Sequence, residues 1–368
     1  MRRRPILIAA GVATVAVSAL WWITRGPSID GLGLRTNSDV PIAKGEPGWD
    51  TTVQVQSLGV AGWLVRRGDD AFITGPLYTF PGPSRLLGSR GVEPSQSAFD
   101  ALHPKDEPGV KAIIAAHAHY DHALYIPFAL VAHSDARAYG SSTLKHLLAG
   151  YGLGERAVAL DTKVDSRNGA PHGDGCPPFP KQDGEWEYVP GSRLRIRALS
   201  HHHAAQVLGI WHLWPGCLDA DLTAPPKSAS AWLEGPIFSY VIDFLEGDGK
   251  TPAWRVYYQD SPVDGPAGLV PEEILAERAV DLAILGVGNY DRTEKPEAII
   301  ANARPRHVIL HHWENFIFTD PRKSLRQLPL HDSAAYKKTI RAELDRLGGE
   351  RTLTITAPDV RLRFPPAP

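Results

Sequence analysis

Three histidines and an aspartate lie within six positions directly after a short apolar run. The run is GVKAIIAA at 109–116, and the polar residues are His117, His119, Asp121 and His122. A short continuous apolar run is consistent with a buried strand. In an extended segment, alternate residues point the same way, so His117 and His119 can face one ion. Because neutral imidazoles and carboxylates bind zinc, iron or manganese, the pattern predicts a metal site at a strand end.

Candidate partners for these ligands follow later predicted strands. A run of three histidines comes after the alternating segment 192–200, Asp260 follows the strand at 254–259, and His311 and His312 close the strand at 307–311. The run consists of His201, His202 and His203. One histidine of the run, one of the last pair and Asp260 complete a set of five histidines and two aspartates. A carboxylate shared by two ions holds them about 3.5–4 Å apart.

The order of predicted elements indicates an α/β domain. Strands are predicted at Val53–Leu58, Gly62–Arg66 and Ala71–Thr74, whereas the second half of the chain alternates strands with helices. The simplest arrangement of these elements is a layered domain with sheets inside and helices outside.

The His-x-His-x-Asp-His motif, with a histidine, an aspartate and a last histidine following in that order, resembles the metallo-β-lactamase superfamily. The resemblance covers roughly residues 52–365 and implies an αβ/βα four-layer sandwich for a hydrolase domain at 50–368. The segments LGVAGWLV, YGSSTLKHLL and VILHHWENF are most similar to the branch that includes the UlaG-type lactonases. The true β-lactamases of the superfamily generally lack a bridging aspartate, so Asp260 argues against that activity.

The resemblance also implies a ligand set. One metal is assigned to His117, His119 and His202, the second to Asp121, His122 and His312, and Asp260 is assigned as the bridge. His202 is preferred to the alternative His201 because relatives place this ligand three residues after a Leu or Pro, here Leu199. His312 is preferred to His311 because it precedes an aromatic residue and stands four residues before Phe316. One departure weakens the match, because Gln259 occupies a position where relatives commonly have glycine.

These assignments imply a binuclear hydrolase that cleaves an ester, lactone or phosphodiester bond. Two divalent ions, zinc first and manganese or iron as alternatives, would make a bound hydroxide available at neutral pH. Asp121 is the predicted catalytic residue, which orients the nucleophile and passes a proton to the leaving group. Two alternatives stay open: a mono-iron oxygenase similar to the sulfur dioxygenases of the same fold, and a non-catalytic, metal-stabilised envelope binding module.

The first 26 residues predict a signal-anchor segment. Three arginines at 2–4 precede 19 uncharged residues, 5–23, close to the roughly 20 that cross a bilayer as a helix. Such flanking arginines stay cytoplasmic. We therefore expect a single-pass inner-membrane protein with its domain in the periplasm, joined by a linker at 27–49. The alternative is a secreted protein cleaved after Val17-Ser18-Ala19.

Charge and cysteine content narrow the possible partners. Without the four arginines of residues 1–26, the chain has 35 basic and 41 acidic residues, a net charge of −6. No basic stripe is visible, so we expect no nucleic acid partner. We expect instead a small-molecule or lipid-like substrate. The two cysteines, Cys176 and Cys217, are compatible either with a disulfide in an oxidising compartment or with free thiols.

Overall fold

Two seven-stranded mixed sheets form the centre of the molecule. The computed structural model describes residues 24–89, 91–105, 107–168, 175–206, 211–262, 265–288, 290, 295–329 and 331–366. The first sheet has the order β14-β1-β2-β3-β4-β5-β6, and the second has the order β13-β12-β11-β10-β9-β8-β7. In each sheet one half is antiparallel and the other parallel. The strands of the first sheet are β1 (Val53–Gly59), β2 (Gly62–Arg67), β3 (Asp70–Thr74), β4 (Val110–Ile114), β5 (Arg137–Gly140), β6 (Ala157–Ala159) and β14 (Arg361–Phe364). Those of the second are β7 (Glu187–Tyr188), β8 (Leu194–Ser200), β9 (Phe238–Leu245), β10 (Pro252–Gln259), β11 (Leu282–Gly286), β12 (His307–His311) and β13 (Thr352–Ile355).

Eight α-helices lie outside the sheets in the described part of the chain. They are α1 (Pro83–Leu86), α2 (Gln96–Leu102), α3 (Tyr120–Ala123), α4 (Ile126–Ala132), α5 (Ser142–Ala149), α6 (Glu272–Glu277), α7 (Glu297–Ala303) and α8 (Ser333–Leu347). The longest, α8, begins where the Asp332 side chain accepts a hydrogen bond from the Ala335 backbone amide, and it ends before Gly348, whose φ is 67°.

Three apolar clusters define the layers. One lies between the sheets and joins residues of both, including Val65 and Ile114 of the first and Ile242 and Ile309 of the second. The other two pack α2, α4 and α5 against the first sheet and α6, α7 and α8 against the second. The predicted αβ/βα four-layer sandwich is therefore confirmed. Strand side chains that alternate between two apolar layers explain why most strands are buried along their whole length.

The ends of several strands meet at one edge of this sandwich. Strands β10 to β12 are parallel, so Gln259 and His311 end at the same side. Strand β9 is antiparallel to β8 and β10, so it starts there at Phe238, whose amide donates to the Ala116 carbonyl just beyond β4, at 2.9 Å. This contact brings the loops of the two sheets together.

The structure bears on the two N-terminal predictions, the anchor and the linker, to different extents. Residues 1–23 of the predicted anchor lie outside the described residues; within those described, no helix combines the length and apolarity needed to span a bilayer. The predicted linker, 27–49, runs along the domain. Leu32 is fully buried, and Arg35 pairs with Thr356 in a parallel bridge.

Candidate metal centre

The predicted histidine motif forms the base of the site. Its chain leaves β4 at Ile114, and the Ala118 amide then donates to the Glu234 carbonyl at 2.8 Å. This tie to the opposite loop fixes the backbone between His117 and His119, whose ring centroids lie 4.8 Å apart. The short helix α3 follows at once and turns Asp121 and His122 toward a neighbouring position. All four side chains are buried.

The first group of possible ligands consists of His117, His119 and His203, whose ligand atoms lie within 4.8 Å of one another. The histidine of the run that lies in this group is His203, whereas the sequence analysis preferred His202. Strand β8 ends at Ser200, so the histidines beyond it do not follow strand alternation. The Ala204 amide donates to the Ser261 Oγ at 2.9 Å, which turns the preceding His203 toward the motif.

The other two histidines of the run lie outside this group. His201 faces the side chain of Gln259, with 3.2 Å between its Nε2 and the Gln259 Oε1. Its Nδ1 lies 2.7 Å from the His202 carbonyl oxygen. His202 is partly exposed and belongs to none of the three groups found among the described residues.

Asp260, which the resemblance assigned as the bridging ligand, lies between two motif histidines. Its Oδ2 is 3.2 Å from the His117 Nδ1 and 3.0 Å from the His122 Nδ1. These three residues form a second group of possible ligands. The unusual Gln259 before it does not displace Asp260 from the site, because the Gln259 side chain turns away toward His201.

The third group consists of Asp121, His122 and His312. The Asp121 Oδ2 lies 3.3 Å from the His122 Nε2 and 3.5 Å from the His312 Nε2. His312 follows β12 directly and has a φ of 60°, in the left-handed region that non-glycine residues seldom adopt. His311, the last residue of β12, points the other way, with its Nε2 2.8 Å from the Gln259 carbonyl oxygen, so His312 is the member of this pair that lies in the group.

Burial and the two carboxylates set the charge of the site. Burial lowers the pKa of His119 to about 3 and lowers the pKa of His117 and of His203, so these imidazoles are neutral, the form that binds metals. Burial also opposes the charge on His122, but Asp260 and Asp121 outweigh it and raise the pKa of His122 to about 10. The same contacts hold the pKa of both aspartates well below the usual range against the opposing effect of burial. The site therefore combines ionised carboxylates with three neutral imidazoles, those of His117, His119 and His203, while His122 is protonated between the two carboxylates and must release that proton to bind a metal ion.

Two glycines allow backbone to approach the ligands closely. A Cβ on Gly75, directly after β3, would lie 1.8 Å from the His122 carbonyl oxygen. A Cβ on Gly286, the last residue of β11, would lie 2.3 Å from the Asp260 carbonyl carbon. Any larger residue at either position would displace a ligand. The sequence analysis did not identify these glycines, because nothing local distinguishes them from turn glycines.

A loop held by a disulfide covers the first ligand group. Cys176 is bonded to Cys217, which decides the question that the sequence left open. Three residues before Cys217, the Trp214 ring lies 6.0 Å from the His119 ring and 5.8 Å from the Tyr120 ring, centroid to centroid. Trp214 therefore packs against the histidine motif from this side.

Comparisons with known proteins add the following. No family model matches the chain, and no curated protein matches it. Similar solved structures include a metallo hydrolase from the archaeon Ignicoccus hospitalis, with 14% identity and a TM-score of 0.47, over 85% of this chain and 99% of that one. An isothiocyanate hydrolase from Delia radicum gut bacteria has 12% identity and a TM-score of 0.43, over 85% and 100%. A diiron β-hydroxylase from Streptomyces venezuelae has 15% identity and a TM-score of 0.41 over 89% of this chain, which spans only 55% of that protein. Identities and TM-scores this low leave the chemistry to the geometry of the site itself.

Proposed function

We propose that this protein is a binuclear metal-dependent hydrolase that cleaves an ester, lactone or phosphodiester bond. The observation that carries the proposal is the sharing of residues among the three ligand groups. His117 belongs to the first two groups and His122 to the last two, so the groups form one continuous cluster with Asp260 in the middle. A closed four-ligand structural site needs no such extended set.

The donor atoms fit divalent metal ions. Among the described residues, the Nε2 atoms of His117 and His119 are buried and have no hydrogen-bond partner. A buried nitrogen without a partner is costly unless something binds it. His203 can direct its Nε2 to the same ion, because its Nδ1 lies 2.5 Å from the Ala204 carbonyl oxygen. This contact orients the imidazole as the outer contacts of metal-binding histidines do.

The two carboxylates have different surroundings and hence different roles. The Asp260 side chain is only 2% exposed, whereas that of Asp121 is 12% exposed. Asp260 therefore serves to hold the centre together. Asp121 can also reach a water molecule or a substrate, so it orients the nucleophile and carries a proton to the leaving group. Divalent ions held by these residues would lower the pKa of a bound water molecule and polarise the scissile bond.

The first test is metal content, measured by mass spectrometry on the full chain purified in detergent. We expect two zinc, manganese or iron ions per chain. His203→Ala and Asp260→Ala should lose metal, whereas the matched variant His202→Ala should retain it. The wild-type chain is then screened against esters, lactones and phosphodiesters before and after chelation.

The outcomes separate the alternatives. Loss of metal in His202→Ala with retention in His203→Ala would refute the ligand assignment. A single tightly bound iron with oxygen consumption would favour the mono-iron oxygenase. Two bound metal ions per chain without turnover of any substrate would favour the binding module.

The location and the subfamily are part of the same proposal. We infer an inner-membrane protein with a periplasmic domain from the arginine-flanked apolar segment 5–23, with secretion after cleavage as the alternative. The UlaG-type lactonase branch is inferred from sequence segments alone. Lactones therefore come first in the substrate screen.

A further inference from the structure

A cavity of about 560 Å³ lies beside the segments that carry His122 and His312 of the third ligand group. Its wall includes Leu124, two residues after His122, and Ile317, Phe318 and Thr319, which follow His312. The opposite wall is formed by the chain between β3 and α2. A cavity of this size is in the range that holds small-molecule ligands.

The N-terminal end of the described chain docks on the same wall. The Asn315 Nδ2 donates to the Thr24 carbonyl oxygen at 3.0 Å, while the Asn315 Oδ1 accepts from the Phe318 amide at 3.1 Å. One side chain thus connects Thr24 to the cavity. Gly26 fits so closely that a Cβ there would lie 2.1 Å from the Gln327 carbonyl oxygen. The uncharged segment 5–23 therefore ends one residue before a residue fixed next to the cavity.

The lining of the cavity combines apolar side chains with charged side chains whose formal charges cancel. Leu87, at the end of α1, is 88% exposed, the highest value among the large apolar side chains of the described residues. Phe80, Pro81, Ile317 and Phe318 are partly exposed on the cavity wall. The charged residues of the lining are two cations, Arg85 and Lys323, and two acids, Glu93 and Asp320. Single exposed apolar residues are ordinary, but a group of them around a cavity indicates a contact surface.

We propose that this face rests on the lipid bilayer that segment 5–23 enters, so that an amphiphilic, lipid-like substrate reaches the site from the membrane. The attachment is made at Thr24, the residue directly after the apolar segment, which keeps the face at the membrane surface. Because the charges of the lining cancel, apolar contact rather than lipid charge holds it there. The substrate class rests on the proposed hydrolase activity, and the orientation of the domain rests on the proposed membrane location.

The test places a fluorophore on the face and measures its quenching by lipids. The full chain is reconstituted in phosphatidylcholine nanodiscs, and Leu87→Cys is labelled with nitrobenzoxadiazole. The control is Tyr188→Cys, which is 52% exposed on β7 and pairs with Arg195 near the start of β8, away from the site at Ser200. The native cysteines are joined in a disulfide and do not compete for the label.

We expect spin-labelled lipids to quench the label at residue 87 several-fold more strongly than the label at residue 188. Equal quenching at the two positions, or failure of the full chain to enter nanodiscs, would overturn the proposal. A second measurement concerns turnover: Leu87→Asp should slow hydrolysis of a bilayer-embedded long-chain ester several-fold and leave a soluble short-chain ester unaffected. Equal slowing of both esters would contradict entry from the membrane. If neither ester is cleaved by the wild-type chain, the ester-hydrolase function fails, while quenching still decides the orientation.

Discussion

Gly75→Ala should damage the metal centre although residue 75 binds nothing. Gly75 follows the last residue of β3 and lies against the backbone of α3, which carries Asp121 and His122. Its φ lies outside the left-handed region, so alanine can adopt the backbone conformation and the effect is purely steric. The new methyl group would lie 1.8 Å from the His122 carbonyl oxygen and 2.7 Å from its carbonyl carbon.

The size of the effect follows from these distances. Ordinary contact begins at 3.4 Å, so the His122 carbonyl must move by the difference between 3.4 and 1.8 Å, which is 1.6 Å. Inserting one methyl group into a packed interior typically costs about 1–3 kcal/mol of stability. A displacement of about 1 Å at a catalytic group can lower the rate roughly 100-fold. Since α3 moves as a unit, both His122 and Asp121 should lose their alignment with His312.

Urea denaturation and metal content measure the two consequences. Gly247→Ala is the matched control, because a Cβ on Gly247, in the turn between β9 and β10, meets nothing within 4 Å. We expect Gly75→Ala to lose both stability and metal, and Gly247→Ala to keep both. The reasoning is refuted if the two variants are indistinguishable in their free energies of unfolding and their metal content.

Three further predictions concern the disulfide, pH and metal. Cys176→Ser together with Cys217→Ser should lower the free energy of unfolding by about 4 kcal/mol, the chain-entropy value for cysteines 41 residues apart, and unchanged urea denaturation would contradict this. Burial lowers the pKa of His103 to about 3, so the unfolded chain binds the extra proton below pH 6.5. The free energy of unfolding then decreases as the pH falls from about 6.5 toward 3, by up to about 1.4 kcal/mol per pH unit. His103→Phe should flatten this slope, which urea denaturation at a series of pH values measures. Zinc or manganese added to the metal-free chain at 100 times its dissociation constant should raise the free energy of unfolding by about 2.7 kcal/mol. If the metal raises the melting temperature of Asp260→Asn as much as that of the wild-type chain, Asp260 is not a ligand.

Much of the site follows from local sequence. The apolar run before His117 places the motif at a strand end, and a spacing of two directs His117 and His119 to one side. The resemblance favours His312 over His311, and His312 is the member of the pair that lies beside Asp121 and His122. The layered α/β architecture follows likewise from the order of predicted strands and helices. The direction of His117 and His119 depends only on the periodicity of a single element, whereas the architecture depends on the order of several elements.

Other features depend on contacts between distant segments, and only the tertiary structure decides them. His203 rather than His202 joins the first ligand group because the chain has left β8, and Ser261 then sets its direction. Gly75 matters only because α3 passes against it, and Leu32 is buried only because the segment predicted as a linker lies along the domain. Local periodicity thus determined where the strands end and which candidate ligands follow them. Contacts between distant backbone segments decided which of those candidates lie together, because no local spacing encodes such contacts.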